Sequence, residues 1–233
     1  TLDRIVNEFE ERGWATRTPA GEYEATPAGT HLVREFRPVV DAVAAIRNLG
    51  ETVAWLPTDE LDVGLEHFRD ATVRRPPGDD PVETVAYFTD LVEESTTFRA
   101  MTHLVPPEPL SRTMWEGVES GRLRTEGVVT APYVEYLRQR PERRARVQAS
   151  LREGSNLYRH DGPLPCNLWI ADGTVLIKES GEDAIPDAYG VPIVSENEQV
   201  RDWAARLLER YREGAVELEA GDFEAPAAEV EEE

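Results

Sequence analysis

The first 36 residues constrain the fold most, because they predict a helix, a short two-stranded ribbon and a second helix with almost no chain between them. Apolar residues of the first helix recur at i, i+3, i+4 and i+7, which places them on one face. Gly13 then stands where a helix often ends in a left-handed conformation. The apolar positions of this face are Leu2, Ile5, Val6 and Phe9.

Two short strands are predicted next, over residues 14–18 and 22–26, with a Pro-Ala-Gly turn between them. Thr26 and Pro27 suit the N-cap and the first position of another helix. Helix, ribbon and helix in this order form the second half of a winged helix-turn-helix. Residues 1–36 therefore predict a partial winged-helix domain, and the alternative is the helix and hairpin that are common in small α+β domains.

The stretch TLDRIVNEFEERGWA, with GEYEATPAGTHLV after it, resembles the recognition helix and wing of archaeal ArsR/MarR-like winged-helix transcription regulators. In that family the helix enters the major groove and the wing touches the flanking backbone, so the resemblance implies double-stranded DNA as a partner. The family's preceding helices have no counterpart here, and we expect a trimmed or partial domain. The residues that the resemblance places at DNA are Thr1, Asp3 and Arg4 on the helix, and Arg17 and Thr18 on the wing.

The charge of the chain bears on the expected binding to DNA. The net charge is −21, from 46 acidic and 25 basic residues, and Lys178 is the only lysine. Such a composition favours adaptation to high salt, and a strongly acidic protein repels DNA unless salt screens the repulsion. Residues 1–50 hold eight acids and six arginines, and residues 12–21 hold two arginines and no acid. Acidic residues are therefore fewest where DNA is expected.

Several classes of protein are disfavoured by what the sequence lacks. Cys166 is the only cysteine, so an internal disulfide or a cysteine-based zinc site is excluded. No stretch approaches the roughly 20 apolar residues that span a bilayer, and no signal peptide opens the chain. We expect a cytoplasmic protein without a membrane partner.

A long helix is predicted from about Pro27 to Leu49, ended by Gly50 and kinked or broken at Pro38. Its wide apolar face favours a linker helix over residues 37–50 that forms the seam of a homodimer. The alternative is that this face packs on its own domain.

Strands and helices alternate from residue 51 onward, which predicts an α/β sandwich with a mostly parallel sheet. Asp172-Gly173 predicts a closing antiparallel hairpin. Ser195 and Glu198 are predicted to cap the last helix as a capping box. We interpret residues 51–213 as an effector-sensing domain and residues 214–233 as an acidic tail, disordered beyond about Asp222. The predicted strands are 52–56, 70–75, 97–105, 123–130, 156–160, 166–171, 175–179 and 191–194.

This second part, with PLPCNLWIADGTVLIKESGED before a long amphipathic helix, is similar to the middle domain of FilR1-type archaeal regulators. That domain is related to the phospholipase-D-like fold of the effector domains of TrmB-type sugar regulators. Phospholipase-D catalysis needs His-x-Lys, and no histidine here is followed two residues later by lysine. We therefore predict no catalytic residue, no cofactor and no metal ligand. The histidines are His31, His67, His103 and His160.

An anionic small-molecule effector is predicted at the carboxyl ends of the strands, where open α/β sheets bind ligands. His103 and Thr130 each lie near the end of a predicted strand, and Arg74 and Arg75 end another. The alternative is a half-buried histidine and arginines paired with surface acids. A further arginine cluster is interpreted as a solvated face whose members pair with the acidic surface or a partner subunit, and the alternative is a contact with phosphate. This cluster comprises Arg138, Arg140, Arg143, Arg144, Arg146 and Arg152.

Taken together, these patterns predict a DNA-binding transcription regulator whose α/β domain senses a small molecule, dimerises, or does both. Two alternatives stay open. One is a degenerate phospholipase-D-like enzyme of phosphodiester chemistry, and the other is a dimerisation module without ligand or DNA.

Overall fold

A computed structural model of the chain describes residues 2–75, 81–180 and 191–224. The helix–ribbon–helix order predicted for the N-terminal part is observed, and its two strands form a separate antiparallel sheet. We call these elements together the head. They are helix α1 (Leu2–Glu11), strands β1 (Ala15–Arg17) and β2 (Tyr23–Ala25), and helix α2 (Pro27–Leu49).

One side chain joins the two helices of the head. The Thr26 hydroxyl accepts a hydrogen bond from the Gly29 N–H at 3.1 Å, so Thr26 is the N-cap of α2, as predicted. The same hydroxyl donates to the carbonyl of Gly13 at 2.7 Å. Gly13 has the left-handed φ of 72° expected where α1 ends. The end of α1 is thereby tied to the start of α2.

Helix α2 continues through Pro38 to Leu49, so the chain does not leave the helix at that proline. The next residues were predicted as a strand over 52–56, and this prediction is wrong. Gly50–Trp55 forms a 3₁₀-helix instead, in which the Thr52 hydroxyl donates to the Leu49 carbonyl at 2.8 Å. A short apolar run does not distinguish a strand from a buried helical turn. Two more 3₁₀-helices follow, Thr58–Glu60 and Leu65–Phe68.

The later residues that the structure describes build one eight-stranded sheet with helices, which we call the body. Its strands are β3 (Thr72–Val73), β4 (Thr97–Thr102), β5 (Arg124–Thr130), β6 (Asn156–His160), β7 (Cys166–Ala171), β8 (Thr174–Glu179), β9 (Ile193–Ser195) and β10 (Val216–Leu218). Its helices are α3 (Pro81–Glu94), α4 (Glu108–Glu119), α5 (Ala131–Arg138), α6 (Pro141–Arg152) and α7 (Glu198–Glu213).

The strand order is β10-β6-β5-β4-β7-β8-β9-β3, and the sheet is mixed rather than mostly parallel. Among the strands that the structure describes, only the β4–β5 and β5–β6 pairs are parallel. These strands are joined by crossover helices, which parallel pairing requires. The predicted hairpin at Asp172-Gly173 is observed between β7 and β8, and a turn this tight makes its strands antiparallel.

Helices cover both faces of the sheet, so the predicted sandwich is observed. All six residues of β7 are buried, and its side chains alternate between the two faces. Leu168 and Ile170 belong to the core under α7, the 3₁₀-helices and the end of α2. Trp169 and Ala171 belong to the core under α3 and α4. A third cluster packs beneath α5 and α6.

One local prediction at the C-terminal end is wrong, and the predicted acidic tail, for which disorder was expected only beyond about Asp222, begins with ordered structure. Asn197, not Ser195, caps α7, because its side chain accepts from the N–H groups of Gln199 and Val200. Ordered structure also continues past the predicted start of the acidic tail at residue 214. Strand β10 pairs with β6, and a 3₁₀-helix follows over Ala220–Phe223.

Two apolar residues explain why this acidic segment folds. Leu218 and Phe223 are 5% and 1% exposed and pack in the core under α5. Burial of these side chains offsets the cost of ordering an acid-rich segment. The remainder of the predicted tail, residues 225–233, lies outside the described residues. Within the described ranges, no helix is long and apolar enough to cross a membrane.

Candidate functional site

The hairpin of the head carries both residues predicted on the wing. Arg17 ends β1 on an exposed surface, where its Nε donates to the Gly21 carbonyl at 3.3 Å. Its guanidinium lies 5.8 Å from the centroid of the Tyr23 ring. The Thr18 hydroxyl accepts from the Glu22 N–H at 3.1 Å and so closes the turn. Arg17 is therefore held along an exposed hairpin without a carboxylate partner among the described residues.

Helix α1 carries the other predicted DNA-contacting residues. Asp3 and Arg4 are exposed on its surface, whereas Thr1 lies outside the described residues. The Tyr23 hydroxyl donates to Asn7 Oδ1 at 3.2 Å, and the rings of Phe9 and Trp14 are 5.7 Å apart. These contacts join α1 to the hairpin.

Helix α2 approaches the hairpin so closely that only glycine fits at the contact. A Cβ atom on Gly29 would lie 1.9 Å from the carbonyl oxygen of Trp14. The Trp14 carbonyl also accepts from the Thr26 N–H at 3.0 Å. The TPAG sequence thus fixes the position of the hairpin relative to α2.

Charge is distributed unevenly over the head. Helix α1 has more acidic than basic residues, and Arg12 is bound to Glu8 at 2.6 Å. The hairpin segment 12–21 contains no acid. Residues 12–21 are therefore the stretch of the head that repels a polyanion least, although Glu22 and Glu24 follow on the other side of the hairpin.

An apolar face on α2 is exposed along most of the helix. Only Gly29, Ala45 and Leu49 are buried, so just the last turns pack on the body. Four exposed residues follow the a and d spacing of a heptad repeat. They are Val33, Phe36, Val40 and Val43, with exposed fractions of 60%, 60%, 56% and 48%.

In the body, the carboxyl ends of three parallel strands bring polar side chains together. Thr102 pairs with Val129, so His103 and Thr130 follow as neighbours, as the sequence predicted for a parallel pair. Thr130 in turn pairs with His160 of β6. His160 was not predicted here, because its position depends on the parallel pairing of β5 with β6.

His103 is buried and close to a cation. It is 7% exposed, and its backbone N–H donates to Asn167 Oδ1 at 3.2 Å. Burial lowers the pKa of its imidazole, and the charge of Lys178 lowers it further. Thr130 Oγ1 is also buried and has no hydrogen-bond partner among the described residues.

The structure does not bring Arg74 and Arg75 to this edge site. They follow β3, which lies four strands away from β4. Strands are spaced by about 4.8 Å, so the separation is about 19 Å. The Arg74 guanidinium instead lies 3.6 Å from the centroid of the Tyr87 ring.

The arginine cluster pairs with acid in part, as predicted. Arg143 and Arg146 of α6 both reach Glu108, at 3.5 and 2.5 Å. Arg140 lies 3.5 Å from the centroid of the Tyr136 ring. In the described part of the chain, no group of three or more His, Cys, Asp or Glu side chains could hold a metal ion.

The head and the mixed α/β body give the described chain two parts, and each part matches a known family model. The chain belongs to the family of the middle domain of FilR1, a methanogenesis regulatory protein, whose profile matches residues 81–214. Residues 1–48 match the HVO_A0261 N-terminal domain.

The fold is also similar to a solved structure of TrmBL2, an archaeal chromatin protein described as showing a novel mode of DNA binding. The TM-score is 0.50 at 14% identity, over 92% of this chain and 81% of that chain. A comparison with curated proteins finds no match.

Proposed function

We propose that the protein is a DNA-binding transcription regulator whose head contacts double-stranded DNA and whose body responds to a small molecule. The regulatory family of the body supports this proposal, as does the N-terminal domain that residues 1–48 match. The likeness to TrmBL2 supports the fold, and that protein binds DNA. The observation that carries the proposal is the exposed hairpin, which holds Arg17 on an acid-free segment.

Each part of the head has a distinct role in this proposal. Arg17 binds a phosphate beside the groove, and the Thr18 hydroxyl, which accepts from the Glu22 N–H, closes the turn next to it. Arg4 faces the groove from α1, with Thr1 and Asp3 near it. Phosphate contacts supply most of the sequence-independent affinity, and each contact releases counterions. Binding should therefore weaken steeply as salt rises.

The test compares two charge reversals in the full-length protein as the cell makes it. Arg17→Glu changes the hairpin, and Arg124→Glu makes the same change at an exposed start of a body strand. Binding to a mixed-sequence DNA duplex is measured over a range of KCl concentrations. We expect R17E to weaken binding at least tenfold and to reduce the salt slope by about 1, as loss of one phosphate contact predicts.

R124E is the control that separates loss of a hairpin contact from a change in net charge. R124E should change affinity much less than R17E and leave the salt slope unchanged. Equal losses in both variants would show a net-charge effect only, and an unaltered isotherm for R17E would reject the hairpin as the DNA contact.

We also propose that the exposed face of α2 pairs with α2 of a second copy. Valine at the a positions Val33 and Val40 favours a two-stranded coiled coil, because β-branched side chains pack well there. Such a dimer would present two heads at a fixed spacing to DNA. An effector in the body would then act by changing the relative placement of the heads.

A dimerisation module that binds no DNA is the second candidate, because the α2 face is large and α1 is acidic. The two candidates differ in one measurement. Salt-dependent duplex binding that needs Arg17 supports the regulator, whereas dimerisation without any duplex binding supports the module.

A further inference from the structure

A cavity of about 140 Å³ lies between the sheet and helices α4 and α6. Small side chains on two adjacent strands create its floor. Ala100 of β4 and Gly127 of β5 are register partners, so neither projects a long side chain into the space above them. A Cβ on Gly127 would already approach Leu157 Cδ1 at 3.0 Å. The sheet thus leaves a hollow that the helices roof over.

The wall of the cavity is apolar and rich in large side chains. An engineered apolar cavity of roughly 150 Å³ is large enough for benzene. The apolar portion of a ligand here is therefore limited to one aromatic ring or a short branched chain. The wall includes Phe98, Leu104, Leu110, Met114, Trp115 and Trp169.

The rim of the cavity on α6 is cationic. Arg143 and Arg146 both line it. Arg143 Nη1 donates to the Pro106 carbonyl at 2.9 Å, which holds a side chain that is only 15% exposed. The two guanidinium groups share the single carboxylate of Glu108, which leaves a net charge of +1. Each guanidinium has five N–H donors, so several stay available for a ligand.

Two pKa shifts agree with this charge pattern. The hydrogen bond from Arg146 lowers the pKa of Glu108, with the charges of Arg146 and Arg143 acting the same way, so this carboxylate stays ionised. Tyr133 lines the same cavity, and burial raises its pKa to about 12. Its phenol therefore stays protonated near neutral pH and is able to donate a hydrogen bond.

We propose that this cavity binds a small amphipathic monoanion, an aromatic or short branched-chain carboxylate. Its apolar part lies over Ala100 and Gly127, and its carboxylate binds Arg143 at the rim. A net charge of +1 suits a monoanion better than a phosphate dianion. This proposal identifies the ligand site for the sensing role proposed above. Only the regulatory consequence of binding rests on that role, because binding itself is measured without DNA.

The probes are benzoate, phenylacetate and isovalerate, with benzamide and inorganic phosphate as matched comparisons. Binding to the whole chain is measured by titration calorimetry and by ligand-dependent melting, at millimolar ligand and constant salt. We expect saturable binding of at least one carboxylate, at least tenfold tighter than benzamide or phosphate. Failure of all three carboxylates to bind, or phosphate binding as tightly, overturns the proposal.

Three variants locate the site. Ala100→Val fills the floor with a residue that suits a strand and should abolish binding. Arg143→Gln should weaken carboxylate binding at least tenfold while leaving benzamide unchanged. Arg152→Gln, at the exposed end of the same helix, should bind as the parent chain does.

If A100V melts far below the parent chain, its loss of binding could reflect unfolding, and the R143Q result alone then decides whether the ligand binds in this cavity. Binding that survives in both A100V and R143Q places the ligand elsewhere and overturns the proposal. The DNA experiment with Arg17 is unaffected by either result, so failure of the ligand site and failure of the DNA-binding proposal are distinguishable.

Discussion

The Asp172 carboxylate accepts a hydrogen bond from the Thr97 N–H at 2.8 Å, so the turn of the β7–β8 hairpin is fastened to the first residue of β4. The Thr97 and Thr96 hydroxyls donate to the same oxygen at 2.8 and 3.1 Å. The Asp172 N–H returns a hydrogen bond to the Thr97 carbonyl at 3.1 Å. Asp172 also has a φ of 46°, a conformation that Asp and Asn tolerate better than most residues.

Asp172→Asn should destabilise the body, because the amide keeps the shape and the backbone tolerance but loses the charge that these donors face. Hydrogen bonds to charged groups are worth more than neutral ones, so we expect a loss of about 1–2 kcal/mol in the free energy of unfolding. Urea denaturation at neutral pH measures it. Asp161→Asn, at an exposed site that pairs with Arg159, should cost much less.

At acidic pH, the difference in the free energy of unfolding between D172N and the parent chain should become smaller. Burial acts to raise the pKa of Asp172, but the hydrogen bonds from Thr96 and Thr97 outweigh it and hold the pKa below its ordinary value. The carboxylate therefore contributes stability above the unfolded pKa, and this contribution is lost as pH falls through the folded pKa. A gap between D172N and the parent chain that stays constant from neutral pH to pH values below that pKa would contradict this account.

Gly29→Ala should destabilise the head, although such a change in a helix normally stabilises. Alanine is favoured over glycine by roughly 0.5–1 kcal/mol in a helix interior. Here the new Cβ meets the Trp14 carbonyl at 1.9 Å, so the backbone must shift. Hydrogen exchange of residues 2–26 should accelerate, with a cost of about 1–3 kcal/mol typical of overpacking.

Gly221→Ala is the control for that experiment, because its Cβ would meet no atom within 4 Å. It should leave exchange in the head unchanged. Slower hydrogen exchange in G29A is the result expected for alanine in an ordinary helix. It would mean that α2 and β1 are not in close contact.

Val40→Glu with Val43→Glu should convert a dimer to a monomer. Two charges per chain would then be buried in the dimer seam that we propose for α2. The free-energy cost of removing these charges from water exceeds the stabilisation that the remaining apolar contacts provide. Light scattering coupled to size exclusion reads the mass directly. Val82→Glu changes another exposed valine, on α3, and should leave the mass unaltered. A parent chain that is monomeric at every concentration would refute the seam.

His103 should make stability depend on pH near neutrality. Burial, with the charge of Lys178, lowers the pKa of its imidazole below the ordinary value of 6.5. The unfolded chain therefore binds a proton before the folded chain does, and stability falls as pH drops below about 6.5. His103→Gln should make the free energy of unfolding depend less on pH between neutral and acidic conditions. His31→Gln, at an exposed site on α2, should leave this pH dependence unchanged. An identical pH profile for H103Q and the parent chain would exclude this role.

The elements that the sequence predicted correctly are those fixed by neighbouring residues. Thr26 and Pro27 start α2, Gly13 ends α1, and Asp172-Gly173 makes a hairpin, each through contacts within a few residues. Strand direction was predicted wrongly because it depends on distant partners. The antiparallel pairing of β4 with β7 joins residues about seventy positions apart, and no local pattern carries that information.

The cavity was missed for a related reason. Its floor depends on the register that sets Ala100 beside Gly127, and a small residue leaves no signal in a periodic pattern. Arg143 and Arg146 were interpreted as part of a solvated face, since their charge was visible but the approach of α6 to Glu108 was not. His103 and Thr130 were predicted as neighbours, and each is one residue beyond the Thr102–Val129 pair of two parallel strands that are joined by one helix.

Helix α2 has mechanical consequences, because its two ends are held by different parts of the molecule. Ala45 and Leu49 are fully buried in the body, and Asp41 is bound to Arg69 at 2.7 Å, while Gly29 lies against the hairpin. A rod of 23 residues is about 34 Å long at 1.5 Å per residue. A tilt of about 5° at its base would move the far tip by about 3 Å, the length of one hydrogen bond, so a helix held in this way would amplify any small rearrangement of the body.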